Sequence, residues 1–549
     1  MSWKGKACRH LRQFVLCSII ASSVAGCSMF DDDEAEFGSE GYVEGFLGGV
    51  AADEPRAALR GREVLSNGGT ATDAAVAMYF TLSVTMPSAA SLGGGGVCVV
   101  HDSKTGETRS LNFLARMPGV IPGSAPRPSA IPGNPRGFYA LHAKYGVLRW
   151  EQLVSPAATL ARFGTPVSRA LSKNLMIAHD ALMADNAFAE VFKSKRSGNL
   201  VGEGDKVFQL DLSSVLAQIS SRGPGDFYNG KMAAHLVSAV EQAGGSLSLS
   251  DLRNYRPYWE ETLKVPFGNL TMHFALPPAA AGTVAATMFH TLANQDFYID
   301  ADGELQRLHA LSETSMFAFA DRAKWMMDYG ETRWSGAELS DMSRLTRDQE
   351  KFTFDAHIPA SALSQEPLNI PENTAGTSIV AVDKNGGAVA CSLGMNNMFG
   401  TGRIAPGTGI VLATIPDVRS RGPMSLVPMI MDNQNSNKFF WAGASSGGVS
   451  SPSSLINVAA HAILGNRSLS AAMNAKRIHH GGFPDITYYE KGLDQWIIDG
   501  LKNRGHSVSE VPAIGRVNAV YCFKNLPEHP ESCQVVTDPR GYGLAAMSE

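Results

Sequence analysis

Beyond its first 26 residues the sequence contains no run of 18 consecutive apolar residues, so nothing there reads as a membrane-spanning helix. It lacks an excess of positive charge. Its 47 Lys and Arg stand against 52 Asp and Glu, a formal charge of −5, which argues against a nucleic-acid binder. No Pro/Ser-rich linker, charge block or repeat divides it. Length alone suggests more than one domain, yet one large intertwined domain is an equally good reading. Cysteine is scarce, 7 in 549 residues, and no Cys/His group has metal-ligand spacing. The adjacent His479 and His480 would point in opposite directions on a strand, so no metal is expected there. Four glycines at 93–96 precede a strand and carry no Lys-Ser/Thr. That excludes a phosphate loop and leaves close backbone packing, or a chain passing near a ligand.

The amino terminus carries the clearest local signal. Lys4, Lys6, Arg9 and Arg12 precede an apolar stretch from Phe14 to Gly26, then Cys27. This is a secretory signal too short to span a bilayer as a mature helix. The small residues Val24-Ala25-Gly26 before Cys27 resemble a lipobox, which implies lipidation of Cys27 after removal of 1–26; a plain signal peptide is the alternative. Ser28 resembles an outer-membrane sorting residue. The expectation is therefore a bacterial envelope protein, lipid-anchored on the periplasmic side. Residues 27–44, with their "DDDEAE", read as a solvated acidic tether. Losing residues 1–26 moves the formal charge from −5 to −9.

Two of the remaining cysteines, Cys522 and Cys533, flank a short loop, and in an oxidising periplasm a disulfide between them is expected. Cys98 and Cys391 lie in apolar runs and read as buried thiols rather than nucleophiles.

The texture is α/β. "EPRAALRGREVLSNGG" reads as a helix stopped by glycines. "TATDAAVAMYFTLSV" restarts one, with Thr70 or Thr72 as N-cap. A hairpin with strands at 97–102 and 108–113 follows. Helical periodicity dominates from about 150 to 325. From 376 the pattern becomes strand–turn–strand, "TSIVAV", "DKNGG", "AVACSL", so Thr377 starts a hairpin with Ile379 and Ala381 on its face. "GASSGGVSS" carries Gly447 and Gly448 into a helix-like stretch, a turn whose N–H groups suit an oxyanion.

Taken together, "SNGGTATDAAVAM", "SLGGGGV", "IPGNPRGF", "GPGDFYNGKMAAHLVSAVEQAGGSLSLSDL", "GTSIVAVDKNGGAVACSLGMNNMFGTGRIAPGTGIVL", "GASSGGVSS" and "TDPRGYGLAA" resemble, in order and spacing, a gamma-glutamyltransferase precursor of the N-terminal-nucleophile hydrolase superfamily. The resemblance runs from about residue 45 to the carboxyl end. It implies a four-layer αββα sandwich and self-cleavage before a threonine into interlocked large (45–376) and small (377–549) chains. It also implies a small gamma-glutamyl substrate and no cofactor.

Chemistry supports the same cut. A threonine hydroxyl inside a chain has no adjacent base, but cleavage before it frees an α-amine of pKa near 7.7–8.0 that can serve as one. Gly376 before the cut would ease a strained turn. The family pattern Thr-Thr-His is not matched here; a one-residue deletion places the nucleophile on Thr377, with Thr374 as the alternative. The resemblance makes Asn396 and Ser425 substrate-binding residues, the second serine of that pair being Met424. It leaves Asp417 alone from the run that holds the substrate amine. The arginine for the substrate carboxylate falls on Leu114, with Arg116 two residues on and expected on the same face. The family threonine beside the nucleophile is Gly394, and Ser392 is expected to supply a hydroxyl instead. The short passage after Leu412 leaves no room for a lid. Three readings follow: a gamma-glutamyl amide hydrolase or transferase, an amidase of the same fold resembling the cephalosporin acylases, or an inactive relative serving as an envelope binding protein.

Overall fold

The computed structural model describes residues 45–195, 197–327, 330–363, 375–416 and 422–548. Cys27 and the tether, Thr374, and residues 417–421 of the passage after Leu412, Asp417 among them, lie outside the described residues. Those from 45 onward belong to one compact unit, in which no helix is long and apolar enough to cross a membrane.

The strands that build the frame are β1 (Gly48–Ala52), β2 (Gly95–Asp102), β3 (Glu107–Phe113), β4 (Tyr258–Glu260), β5 (Leu263–Phe267), β6 (Leu270–Phe274), β7 (Thr377–Asp383), β8 (Ala388–Gly394), β9 (Val427–Asn433), β10 (Lys438–Ser446), β11 (Arg516–Leu526), β12 (Cys533–Thr537) and β13 (Leu544–Ser548). One sheet runs β13-β1-β7-β8-β2-β3-β4 and the other β12-β11-β10-β9-β6-β5. Both are antiparallel throughout.

Strand β7 is buried along its whole length, so its two faces must each meet an apolar partner. Ile379 and Ala381 join one hydrophobic cluster with the helices α1 (Pro55–Ser66) and α2 (Ala71–Thr85). Val380 and Val382 join another, which also holds Ile430, Ala442, Ala444 and Val520 of the second sheet. The far face of that sheet packs Met429, Met431, Trp441 and Ala519 against α3 (Ala281–Asn294), α4 (Gly303–Trp325) and α5 (Ser451–Ala459). Period-two alternation thus yields helix, sheet, sheet, helix.

Helix α2 begins where the sequence allowed. Thr70 is the N-cap, and its side chain and that of Asp73 form a reciprocal capping box. Helices dominate 150–325, with β4, β5 and β6 set among them. Leu263 and Val265 are buried while Lys264 and Pro266 are exposed, a two-residue alternation turning at Gly268, whose φ is +58°. One expectation is corrected: Cys98 and Cys391 are not free thiols. They face each other across β2 and β8 with Cα atoms 4.0 Å apart and are disulfide-bonded. Two separate apolar runs hid a cross-strand pair. Cys522 and Cys533 are likewise bonded, across β11 and β12.

Candidate active site

Thr377 opens β7 and is fully buried. Pairing of β1 with β7 brings Asp53, the residue after β1, beside it. Thr377 Oγ1 donates to Asp53 Oδ2 at 3.1 Å, and the Ser378 N–H donates to the same oxygen at 3.2 Å. Ser446, at the end of β10, adds a longer hydroxyl contact of 3.4 Å to that oxygen. Asn518 of β11 donates to Asp53 Oδ1 at 2.8 Å, and is itself held by Thr537 at 2.7 Å. A carboxylate this buried is stable only when its oxygens are filled in this way. The two sheets therefore fix Asp53 as an acceptor for the threonine hydroxyl.

The carbonyl of Gly376 precedes that hydroxyl in the chain. Arg516 Nη2 donates to it at 3.3 Å and to Ser446 Oγ at 3.1 Å. Hydroxyl, acceptor and polarised carbonyl are thus assembled around one peptide bond. On one side of this bond lies a cavity of about 280 Å³ lined by Asp53, Ala375, Ser446, Gly447 and Arg516, with Lys173 and Arg540 also on its wall. On the other lies a crevice of only about 10 Å³ lined by Gly376, Leu114, Gly394, Asn396 and Ser425, room for about one water.

Gly447 lines the cavity with φ +148°. A Cβ there would lie 2.6 Å from the Gly515 Cα, so the turn admits glycine alone. Gly448 (φ +68°) begins the single 3₁₀ turn behind it, leading into α5. Asn396, also at positive φ (+58°), donates to the Thr414 carbonyl at 2.9 Å and so shapes the crevice. Ser425 stands on the same wall.

Two predicted residues are placed elsewhere. Ser392 pairs with Ser378, and Leu393 pairs with Thr377, so the Ser392 side chain is on the opposite face from Thr377. Its hydroxyl accepts from the Val427 N–H at 3.3 Å and contacts the Ser445 carbonyl at 3.5 Å, joining the sheets instead. Arg116 follows the end of β3 and lies over the rings of Tyr255 and Tyr258, 5.0 Å from each centroid. Leu114 takes the position on the crevice. The i+2 argument fails because the strand ends at Phe113. Asp53, Arg516, Asn518 and Ser446 were missed. Asp53 sits in "AADEPR" one residue before the helix cap Glu54, where an acid reads as helix-dipole chemistry.

The layer order and strand topology place the fold in the N-terminal-nucleophile hydrolase class. A cephalosporin acylase from Bacillus halodurans superposes with a TM-score of 0.78 at 23% identity, over 94% of this chain and 99% of that one. The gamma-glutamyltranspeptidase of Helicobacter pylori gives 0.52 at 26% identity, over 61% and 98%. A gamma-glutamyltranspeptidase family model matches residues 57–548; the chain belongs to the gamma-glutamyltranspeptidase family. The glutathione hydrolase proenzyme of Escherichia coli K12 is 26% identical over 516 residues, 86% of this chain and 88% of its own length. That of Pseudomonas aeruginosa is 26% identical over 546 residues, 91% and 94% respectively.

Proposed function

We propose that the chain is a self-processing amide hydrolase or transferase that cuts itself between Gly376 and Thr377 and then acts on gamma-glutamyl compounds such as glutathione. One observation carries this reading: the Thr377 hydroxyl is bound to Asp53 while Arg516 holds the carbonyl of the preceding residue. Asp53 takes the hydroxyl proton as Oγ1 attacks the Gly376 carbonyl carbon. Arg516 stabilises the oxyanion. The C–N bond breaks as the amide nitrogen gains a proton, leaving an ester. Water then hydrolyses the ester to a Gly376 carboxylate and a free Thr377 amine. That amine becomes the general base for the same hydroxyl in turnover. Gly447 and Gly448 are assigned to the oxyanion in that step. Because Ala375 lines the cavity and Gly376 the crevice, withdrawal of the new chain end opens both toward Thr377.

Lys173 and Arg516 on the cavity wall suit a substrate carrying a free carboxylate; Arg540 beside them is already paired with Glu490 and Asp538. The relatives named glutathione hydrolase proenzymes support both the processing and the substrate. The same machinery acting on another acyl group is favoured by one observation, Leu114 in the crevice where the resemblance calls for an arginine. Turnover of gamma-glutamyl anilides against acyl anilides without the α-amino acid separates the two. Processing is tested by N-terminal sequencing of the small chain, expected to begin Thr-Ser-Ile-Val. A start at Thr374, or a wild type that stays whole, defeats the assignment.

We also read the mature protein as anchored through lipid on Cys27 in a bacterial envelope. Two disulfides support an oxidising compartment.

A further inference from the structure

Six side chains outside the Thr377 site converge beneath α4: His309, Glu313, His357, His480, Asp485 and His506. None of them lines the cavity or the crevice. His309 and Glu313 share one face of the helix at i, i+4, and both are fully buried. The His506 Nε2 atom lies 2.7 Å from His309 Nδ1 and 3.7 Å from Glu313 Oε1. His357 Nδ1 lies 2.5 Å from the same Glu313 oxygen.

The other polar atom of each of these groups has its own partner. His309 Nε2 meets the Thr353 carbonyl at 2.8 Å, which makes it the N–H and leaves Nδ1 a lone pair. His506 Nδ1 meets the Thr487 hydroxyl at 2.9 Å. Glu313 Oε2 accepts the Ile358 N–H at 3.1 Å. His357 Nε2 donates to Asp485 Oδ1 at 3.1 Å, leaving its Nδ1 lone pair aimed at Glu313. Asp485 is fixed in turn by the Ala360 N–H at 2.9 Å and by His480 Nε2 at 3.0 Å. His480 can donate there because its Nδ1 accepts from the Gly482 N–H at 3.1 Å. Ligand atoms of His309, Glu313 and His506 thus all lie within 4.8 Å of one another, and the His357 lone pair meets the same Glu313 oxygen, with outer hydrogen bonds already made. A carboxylate or carbonyl behind each ligating imidazole is the support that metal-bound histidines use.

We propose that His309 Nδ1, Glu313 Oε1, His357 Nδ1 and His506 Nε2 form a structural site for a first-row divalent cation of the zinc class. Imidazole with one carboxylate suits that class. Four protein ligands in a buried position make a closed site, structural rather than catalytic. The carboxylates of Glu313 and Asp485 balance the two positive charges. Ligand atoms around zinc stand about 3.3 Å apart, from metal–nitrogen distances of about 2.0–2.1 Å. The two shortest pairs must therefore open by about half an ångström or more on binding. The competing arrangement fills the same point with protons, His506 donating to His309 and a charged His357 bridging Glu313 and Asp485.

The position gives the site a purpose that rests on the processing reading. His309, Glu313 and His357 precede Gly376, whereas His480, Asp485 and His506 follow it. A cation here would staple the large chain to the small one after the cut.

The test is zinc content and affinity of the purified full-length protein lacking only residues 1–26, with Thr377→Ala as the uncut form. About one tightly held zinc per chain is expected in both forms, with tetrahedral visible absorption on cobalt exchange and a lower melting temperature after chelation. His309→Ala and His506→Ala should each abolish it. Asp485→Asn, which reaches the metal only through His357, should weaken zinc about 10- to 100-fold. Folded wild type that binds no stoichiometric zinc and melts alike with and without chelator overturns the proposal in favour of the proton-filled network. Zinc retained by His309→Ala also overturns it. Failure of cleavage with zinc bound would count against the processing reading alone.

Discussion

Arg516 donates to the carbonyl oxygen of Gly376 at 3.3 Å, reaching across from the second sheet to the one peptide bond that precedes Thr377. A guanidinium there does two things. It draws electron density from the carbonyl carbon, and it is already in place when negative charge develops on the oxygen. Removing one such donor typically costs about 10²- to 10³-fold in rate. Arg516→Ala should slow processing by at least about a hundredfold, followed by intact mass over time. Because Arg516 also holds Ser446, Ser446→Ala serves as the control for loss of that contact, with a much smaller effect expected. Equal rates for Arg516→Ala and wild type would remove Arg516 from the mechanism.

The turn at Gly447 is committed to glycine by both its φ of +148° and the 2.6 Å approach of Gly515. Gly447→Pro removes an N–H and distorts the wall of the cavity at once. Protein that still processes and folds, judged by circular dichroism and melting temperature, should lose at least about a hundredfold in kcat. A mild effect in such protein would put the oxyanion donors elsewhere.

The Cys98–Cys391 disulfide joins β2, before the proposed cut, to β8, after it. Processed protein should therefore run as one species on a denaturing gel without reductant and as two with it. Cys391→Ser should give two species under both conditions. Two bands from oxidised wild type would mean that the pair is not bonded in the processed protein.

The fold was legible where one periodicity ran without interruption. The β7–β8 hairpin, the capped start of α2 and the β2–β3 hairpin each carry their own local signal, and the structure has them within two residues. The short strands β5 and β6 were obscured by helical stretches on both sides, although Gly268-Asn269 marks their turn. At the site, glycine turns were readable because their backbone is rare. The partners of Thr377 were not. Asp53 lies 324 residues away in the chain and Arg516 and Asn518 140 residues from Gly376 and Ser378, and only the pairing of β1 with β7 and the facing of β11 against it bring them together. Arg116 and Ser392 failed for a related reason. Sequence offset fixes the face only while a strand continues in known register, and the face alone does not say which neighbour takes the hydrogen bond.

Arg116 and Glu260 provide a test that separates substrate binding from packing. Burial pushes the Glu260 carboxyl up to about 7 from an ordinary 4.5, although the neighbouring Asn112 amide and the charge of Arg116 both oppose the rise. The folded protein therefore holds this proton through a range in which the unfolded chain has lost it. Stability from this group is intact below about pH 4.5 and is lost as pH rises toward and through 7. Glu260→Gln keeps the shape and removes the titration, so its melting temperature relative to wild type should rise between pH 5 and pH 8. Arg116→Ala takes away a charge that holds the carboxyl down, which extends the loss of stability to higher pH while its onset, set by the unfolded chain, stays where it was. It also exposes the faces of Tyr255 and Tyr258 that the guanidinium covers, so the midpoint should fall at every pH. Its KM for a gamma-glutamyl anilide should stay within about threefold of wild type, a difference of under 1 kcal/mol. A tenfold or larger rise in KM with an unchanged melting profile would show instead that Arg116 turns into the site and grips the substrate carboxylate.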